Sequence, residues 1–233
     1  MLLMLLVGPG CKEKAPTGDP FSAPGQGAGW VQPQKGSQFQ MVTGMDRVEV
    51  RSRWNAVFDT KGYVYGKEPA GFLRENIAIL PVGRALDIAM GEGRNAVFLA
   101  KKGYQVEGVD ISDVALNKAR RLARDSGVSL ELHNADLQHY RIKPNSYELI
   151  VNIQYLQRSL VPQIKSGLKR GGAIVFESYT VDQLKNPEGQ SMSREMLLEP
   201  DELKELFRDF KIMVYRVTND GKEAVASLVA IKP

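Results

Sequence analysis

The chain has 233 residues, enough for one domain of ordinary size and an appended segment. Its 31 basic and 27 acidic residues leave a mixed net charge of +4, without the basic, aromatic-interleaved stripe that nucleic acids demand. Cys11 is the sole cysteine, which excludes an intrachain disulfide, and no apolar run is long enough to span a bilayer.

Residues 1–44 differ from the rest. Met1 to Val7 is apolar, Gly8-Pro9-Gly10-Cys11 follows, and then comes a stretch rich in Gly, Pro, Gln and Ser. Such a stretch cannot bury enough apolar surface to fold, so a disordered linker is expected. The apolar run, small residues and cysteine resemble a lipoprotein-type signal, which would anchor the chain to a membrane through a lipidated Cys11. No basic residue precedes the run, and Pro9 is foreign to that signal. A true start at Met45 is the other reading and leaves a cytoplasmic protein. The folded domain is expected over 45–233.

From Asp46 the pattern becomes α/β. Asp46 is placed to cap a helix over 47–58, with Val50, Trp54, Val57 and Phe58 as its apolar stripe. Tyr63-Val64-Tyr65-Gly66 reads as a loop, and Pro69 as the first turn of a helix reaching Ile79. Strands at 84–89, 105–110, 129–133, 147–152 and 172–179 then alternate with helices at 93–102, 113–126 and 156–167. That alternation predicts a doubly wound, mostly parallel sheet. A helix over 200–208 precedes two apolar runs, Phe210–Val217 and Ala224–Ile231, joined through Asn219-Asp220-Gly221, a hairpin signal.

The first strand carries Asp87 and runs into Ala89-Met90-Gly91-Glu92-Gly93-Arg94-Asn95, where a helix opens. Two glycines let backbone N–H groups approach a ligand, and the helix adds its positive end. Asp110 ends the next strand, placed to accept from two ribose hydroxyls, with Ser112 as the natural cap of the following helix. An adenosine-containing cofactor is therefore expected. A pyrophosphate wants a third glycine and a neutral turn, whereas Ala96 stands third and Asp87 and Glu92 bring negative charge, which disfavours a nicotinamide oxidoreductase. Carboxylates suit a ligand bearing an ammonium. S-adenosyl-L-methionine has one, together with a carboxylate for Arg94.

The string LDIAMGEGRNAVFLAKKGYQVEGVDIS resembles motif I and the acidic loop of class I S-adenosylmethionine-dependent methyltransferases. More narrowly it resembles the tellurite-resistance and thiopurine-methyltransferase-like group, as do segments 53–73, 147–180 and 197–207. Ala89-Met90 stand where class I enzymes often have Gly-Cys. The resemblance covers about 45–233 and implies a seven-stranded Rossmann-like sheet with an antiparallel C-terminal hairpin.

Cofactor contacts are then expected from Tyr65, in a lid, and from Asp87, Ala89, Met90, Gly91, Glu92, Gly93, Arg94 and Asn95. Asp110, Ile111 and Ser112 follow, then Ala135, Asp136 and Leu137 around adenine, and Asn152. Asn152-Ile153-Gln154-Tyr155 lacks the second proline of amine-methylating enzymes. Tyr155, Arg158 and Tyr179 are instead expected at the substrate end, with either Glu177 or Tyr179 facing it. The acceptor is expected to be a small soft nucleophile (a thiol, or a selenium or tellurium oxyanion), needing no protein base and steered by Arg158. A non-catalytic cofactor-binding module is the alternative. His133 and His139 show no ligand spacing with Cys, Asp or Glu, so no metal is expected; Lys118, Arg121 and Arg124 read as a solvated helix face. Nothing in the sequence fixes an oligomeric state.

Overall fold

The computed structural model describes residues 47–233. The Cys11 signal, the linker and the Asp46 cap lie outside the described residues. Seven strands form one sheet: β1 (Arg84–Ile88), β2 (Gln105–Asp110), β3 (Glu131–Asn134), β4 (Tyr147–Ile153), β5 (Leu168–Tyr179), β6 (Lys211–Asn219) and β7 (Ala224–Ile231). Their order is β3-β2-β1-β4-β5-β7-β6. The first four pairings are parallel, and β7 inserts antiparallel between β5 and β6. This is the doubly wound α/β sheet with an antiparallel end that the sequence pattern predicted.

The central strands read as nearly continuous apolar runs because both faces are covered. One face, with Leu86, Ile88, Ile150, Ile174 and Phe176, packs on α5 (Val161–Gly167) and α6 (Glu202–Leu206). The other, with Ala85, Leu149, Val151, Ala173 and Val175, packs under α2 (Gly71–Asn76), α3 (Arg94–Lys101) and α4 (Asp113–Asp125). Helix α1 (Arg47–Phe58) leads into this second layer, with Phe58 its buried residue. Among the described residues, no helix is long and apolar enough to cross a membrane.

Three expected helices shorten at prolines. Instead of a helix over 156–167, a single 3-10 turn at Arg158–Leu160 precedes α5. In the first turn of α5, Pro162 lacks an N–H that would be unused anyway, whereas a helix begun at 156 would put it in the interior, where it breaks a hydrogen bond. Pro69 lies before the Ala70 cap of α2, and Pro200 before Asp201, which caps α6 in the left-handed region. Strand order reverses between β1 and β4, the position at which open α/β sheets bind ligands beyond their carboxyl ends.

Candidate active site

The chain turns sharply at the carboxyl end of β1. Ala89 (φ 51°), Gly91 (φ 53°) and Gly93 (φ 87°) are all left-handed. Gly93 caps α3, and a Cβ there would lie 2.8 Å from Ala119 Cβ on α4, so only glycine lets the turn sit this close. Gln154, directly after β4, is likewise left-handed at φ 57°. Non-glycine residues in this region store strain, and both sit at the same sheet edge. The Met90 side chain is buried beneath the turn against Gly108, so what it offers the edge is backbone.

Asp110 holds the turn from β2. Its Oδ2 accepts the Gly91 N–H at 2.8 Å and its Oδ1 the Ser112 N–H at 2.8 Å. Ser112 caps α4 through the Ala115 N–H (3.1 Å) and donates to Asn55 Oδ1 on α1 (2.7 Å), a contact the sequence reading missed. Burial raises the Asp110 pKa against the backbone hydrogen bonds that lower it. Asp87 is 1% exposed, and its Oδ2 has no hydrogen-bond partner among the described residues. Burial pushes its pKa up to about 7, opposed by the nearby Arg94 charge and a backbone hydrogen bond from Ala96.

The segment between α1 and α2 lies over this turn. Glu92 is committed to it: Oε2 accepts the Val64 N–H (2.7 Å) and Oε1 pairs with Lys118 Nζ (2.8 Å). Arg94 donates to the Tyr65 carbonyl (3.2 Å) with its guanidinium 5.7 Å from the Tyr65 ring centre, and Asn95 Oδ1 accepts the Ala70 N–H (2.9 Å). Lys118 corrects the solvated-face reading. It is 9% exposed and also donates to Thr60 Oγ1 (3.0 Å) and the Gly62 carbonyl (2.6 Å). Its position was a signal: Ala115, Ala119 and Leu122 form the buried stripe of α4, and a lysine three residues after Ala115 belongs to that stripe.

Farther along the edge, the Ala135 N–H donates to the Asp110 carbonyl, and the Asn134 side chain bonds the Ile111 carbonyl (2.9 Å). Asp136 accepts the Gln138 N–H (2.9 Å) and meets His139 Nδ1 at 3.1 Å, beside buried Leu137. Asn152 donates to the Tyr155 carbonyl (2.5 Å), and the Tyr155 hydroxyl donates to Gln157 Oε1 (2.6 Å). Arg158 is not free to steer an anion. It grips both Glu202 oxygens (2.5 and 2.9 Å) and the carbonyls of Glu195 and Leu197, bracing the segment before α6. Glu177 and Tyr179 are not alternatives: residues two apart share a strand face, so both look the same way. The Tyr179 hydroxyl donates to Glu223 (3.0 Å) and accepts from Gln154 Nε2 (3.2 Å).

The absence of a histidine–carboxylate cluster also needs correction. Strand pairing brings Glu107, Glu131 and His133 together, their ligand atoms within 4.8 Å of one another. Arg84 and Lys143 already supply positive charge to Glu107 there, and Tyr147 donates to it at 2.9 Å.

Residues 85–172, from the start of β1 into β5, match the family model described as a methyltransferase domain. The fold is that of a class I S-adenosylmethionine-dependent methyltransferase. The solved structure of TehB from Haemophilus influenzae superposes with a TM-score of 0.61 at 18% identity, covering 78% of this chain and 67% of that one. Magnesium protoporphyrin IX methyltransferase from Synechocystis, solved with bound SAH, gives 0.60 at 17%, covering 80% and 99%. Among curated proteins, a ubiquinone biosynthesis O-methyltransferase from Idiomarina loihiensis is 26% identical over 114 residues, 46% of this chain and 47% of the relative. The chain thus spans about half the length of the curated relatives it matches.

Proposed function

We propose that this chain binds S-adenosyl-L-methionine at the carboxyl edge of β1 and β2 and transfers its methyl group to a small-molecule acceptor. One observation carries the reading: Asp87 keeps an almost fully buried carboxylate oxygen without a partner, directly before a glycine turn. An unmatched buried acceptor costs about 1–3 kcal/mol, more when charged. An ammonium group is the partner that would complete it, and a pyrophosphate would be repelled. Asp87 would take that ammonium, the Gly91–Gly93 backbone would pack on the methionine portion, Asp110 would accept from the ribose, and Asp136 and Leu137 would flank the adenine.

The bound cofactor supplies an electrophilic methyl group on a sulfonium. The chain's part is alignment and exclusion of water. The clasp of Glu92, Arg94 and Asn95 on residues 64–70 holds a cover over the turn. In-line positioning can contribute on the order of 7–11 kcal/mol in favourable cases.

Arg158 is occupied, and the edge carries Asp87, Asp110, Asp136, Glu177 and Glu223. That charge favours a neutral acceptor over an oxyanion of selenium or tellurium, and the matched relatives named O-methyltransferases support an oxygen acceptor. Calorimetric titration with S-adenosylmethionine and with NAD tests the cofactor reading; binding of NAD alone overturns it. S-adenosylhomocysteine release across phenols, thiols, selenite and tellurite tests the acceptor. Cofactor binding without turnover on any of them would leave a non-catalytic binding module.

A further inference from the structure

We propose that Glu177, at the end of β5, is the general base that takes the proton from a hydroxyl acceptor. This rests on the methyl-transfer reading and names the chemical class of its substrate. In the sheet register Asp87 pairs with Val151 and Val151 with Val175, and two residues on, Ile153 pairs with Glu177. Asp87 and Glu177 therefore share one face of the sheet, two strand spacings (~10 Å) apart, with Glu177 one pleat nearer the carboxyl edge.

The side chain is built for this task. Oε2 accepts the hydroxyl proton of fully buried Ser227 at 2.6 Å, which fixes the carboxylate's orientation. Oε1 has no hydrogen-bond partner among the described residues, and the residue is only half-buried, so the open oxygen is reachable from the edge. Arg94 faces it from α3, Arg216 from β6 and Glu223 from the β6–β7 turn. Burial raises its pKa above the ordinary carboxylate range, against the Ser227 hydrogen bond and the arginine charges that lower it. A raised pKa makes the carboxylate a stronger base.

The other groups on this edge are committed. The Tyr155 and Tyr179 hydroxyls both donate to acceptors, and burial pushes the Tyr155 phenol further from ionisation. Asp87 lies one pleat farther from the carboxyl edge and is assigned to the cofactor's ammonium. In the step, a lone pair of the acceptor oxygen forms the new O–CH3 bond. The S–CH3 bond breaks with both electrons going to sulfur, leaving a neutral thioether. The hydroxyl proton passes to Glu177 Oε1 and then to water.

The test compares wild type, Glu177→Gln and Ser227→Ala, with phenol and catechol as acceptor probes. Glu177→Gln is expected to lower kcat by about 100-fold or more and to abolish the acid limb of its pH profile. Its Kd for S-adenosylmethionine should stay within about threefold of wild type, since no cofactor contact is removed. Ser227→Ala removes a hydrogen bond to the ionised form, so the acid limb should move to higher pH. An infrared titration of the ligand-free proteins reads the same group without turnover. Subtracting Glu177→Gln from wild type should show a carboxyl protonating above the ordinary glutamate range, and Ser227→Ala should raise that midpoint. The proposal is overturned by unchanged kcat in Glu177→Gln, by wild type turning over thiols but neither hydroxyl probe, or by a Glu177 midpoint at or below the ordinary value. Wild type that does not bind S-adenosylmethionine at all would overturn the methyl-transfer reading beneath it.

Discussion

Glu107 on β2 and Asp87 on β1 are both almost fully buried carboxylates, 2% and 1% exposed, on neighbouring strands. Their surroundings are opposite. Burial alone would raise the pKa of Glu107, but hydrogen bonds from Tyr147 and Arg84 and the Lys143 charge hold it below the ordinary range. Asp87 has only the Arg94 charge and one backbone hydrogen bond to oppose burial, so burial wins and its pKa rises to about 7. A carboxylate that serves the fold is completed from within the chain. One left incomplete at a ligand edge marks where something else must bind.

Exchanging the two losses is the strongest way to break that comparison. Asp87→Asn should weaken S-adenosylmethionine binding by about 100-fold or more, in calorimetry, while Tm at pH 8 stays level or rises because a buried charge is gone. Glu107→Leu should do the reverse. It strands the buried Tyr147 hydroxyl and removes the carboxylate that Arg84 and Lys143 pair with, costing about 3 kcal/mol and lowering Tm by roughly 5–10 °C, with cofactor affinity unchanged. If both variants lose affinity and stability together, the distinction fails.

Lys118→Met extends the test to the cover segment. Glu92 would be left buried without its cation, costing about 2–3 kcal/mol in chemical denaturation. The loosened segment over the turn should also raise the Kd for the cofactor. Stability of the ligand-free protein should depend on pH through Asp87. The folded state holds this proton up to about pH 7, whereas an ordinary aspartate loses it near 3.8. Between those values the folded state binds more protons, so Asp87's contribution falls as pH rises from about 4 to about 7 and then levels off. Asp87→Asn should flatten that part of the profile. The smallest effect is expected for Arg158→Ala: about 1 kcal/mol of stability, because the side chain is partly exposed, and no more than a few-fold change in acceptor KM.

Much of this architecture was legible in the chain because it depends on local pattern. The apolar runs, the Gly91–Gly93 turn, the Ser112 cap and the Asn219-Asp220-Gly221 hairpin each state their geometry within a few residues. What stayed hidden depends on partners far away in sequence. Lys118 is buried by Thr60 and Gly62, and Arg158 is held by Glu195, Leu197 and Glu202. Glu107 and His133 meet only through the β2–β3 pairing. The sequence identified the residue types at the edge, but charge compensation decides which of them remain available, and that requires the three-dimensional neighbours.

The central claim is that the open Oδ2 of Asp87 receives the ammonium of S-adenosylmethionine. Calorimetric titration of the wild-type protein with this compound across pH 5.5–9, in buffers of different ionisation enthalpy, tests it most directly. Affinity should fall about tenfold per pH unit below about 7, with proton release on binding, and fall again above about 8 as the ligand's amino group loses its charge. Affinity that is flat between pH 5.5 and 7.5, with no proton released, would contradict it.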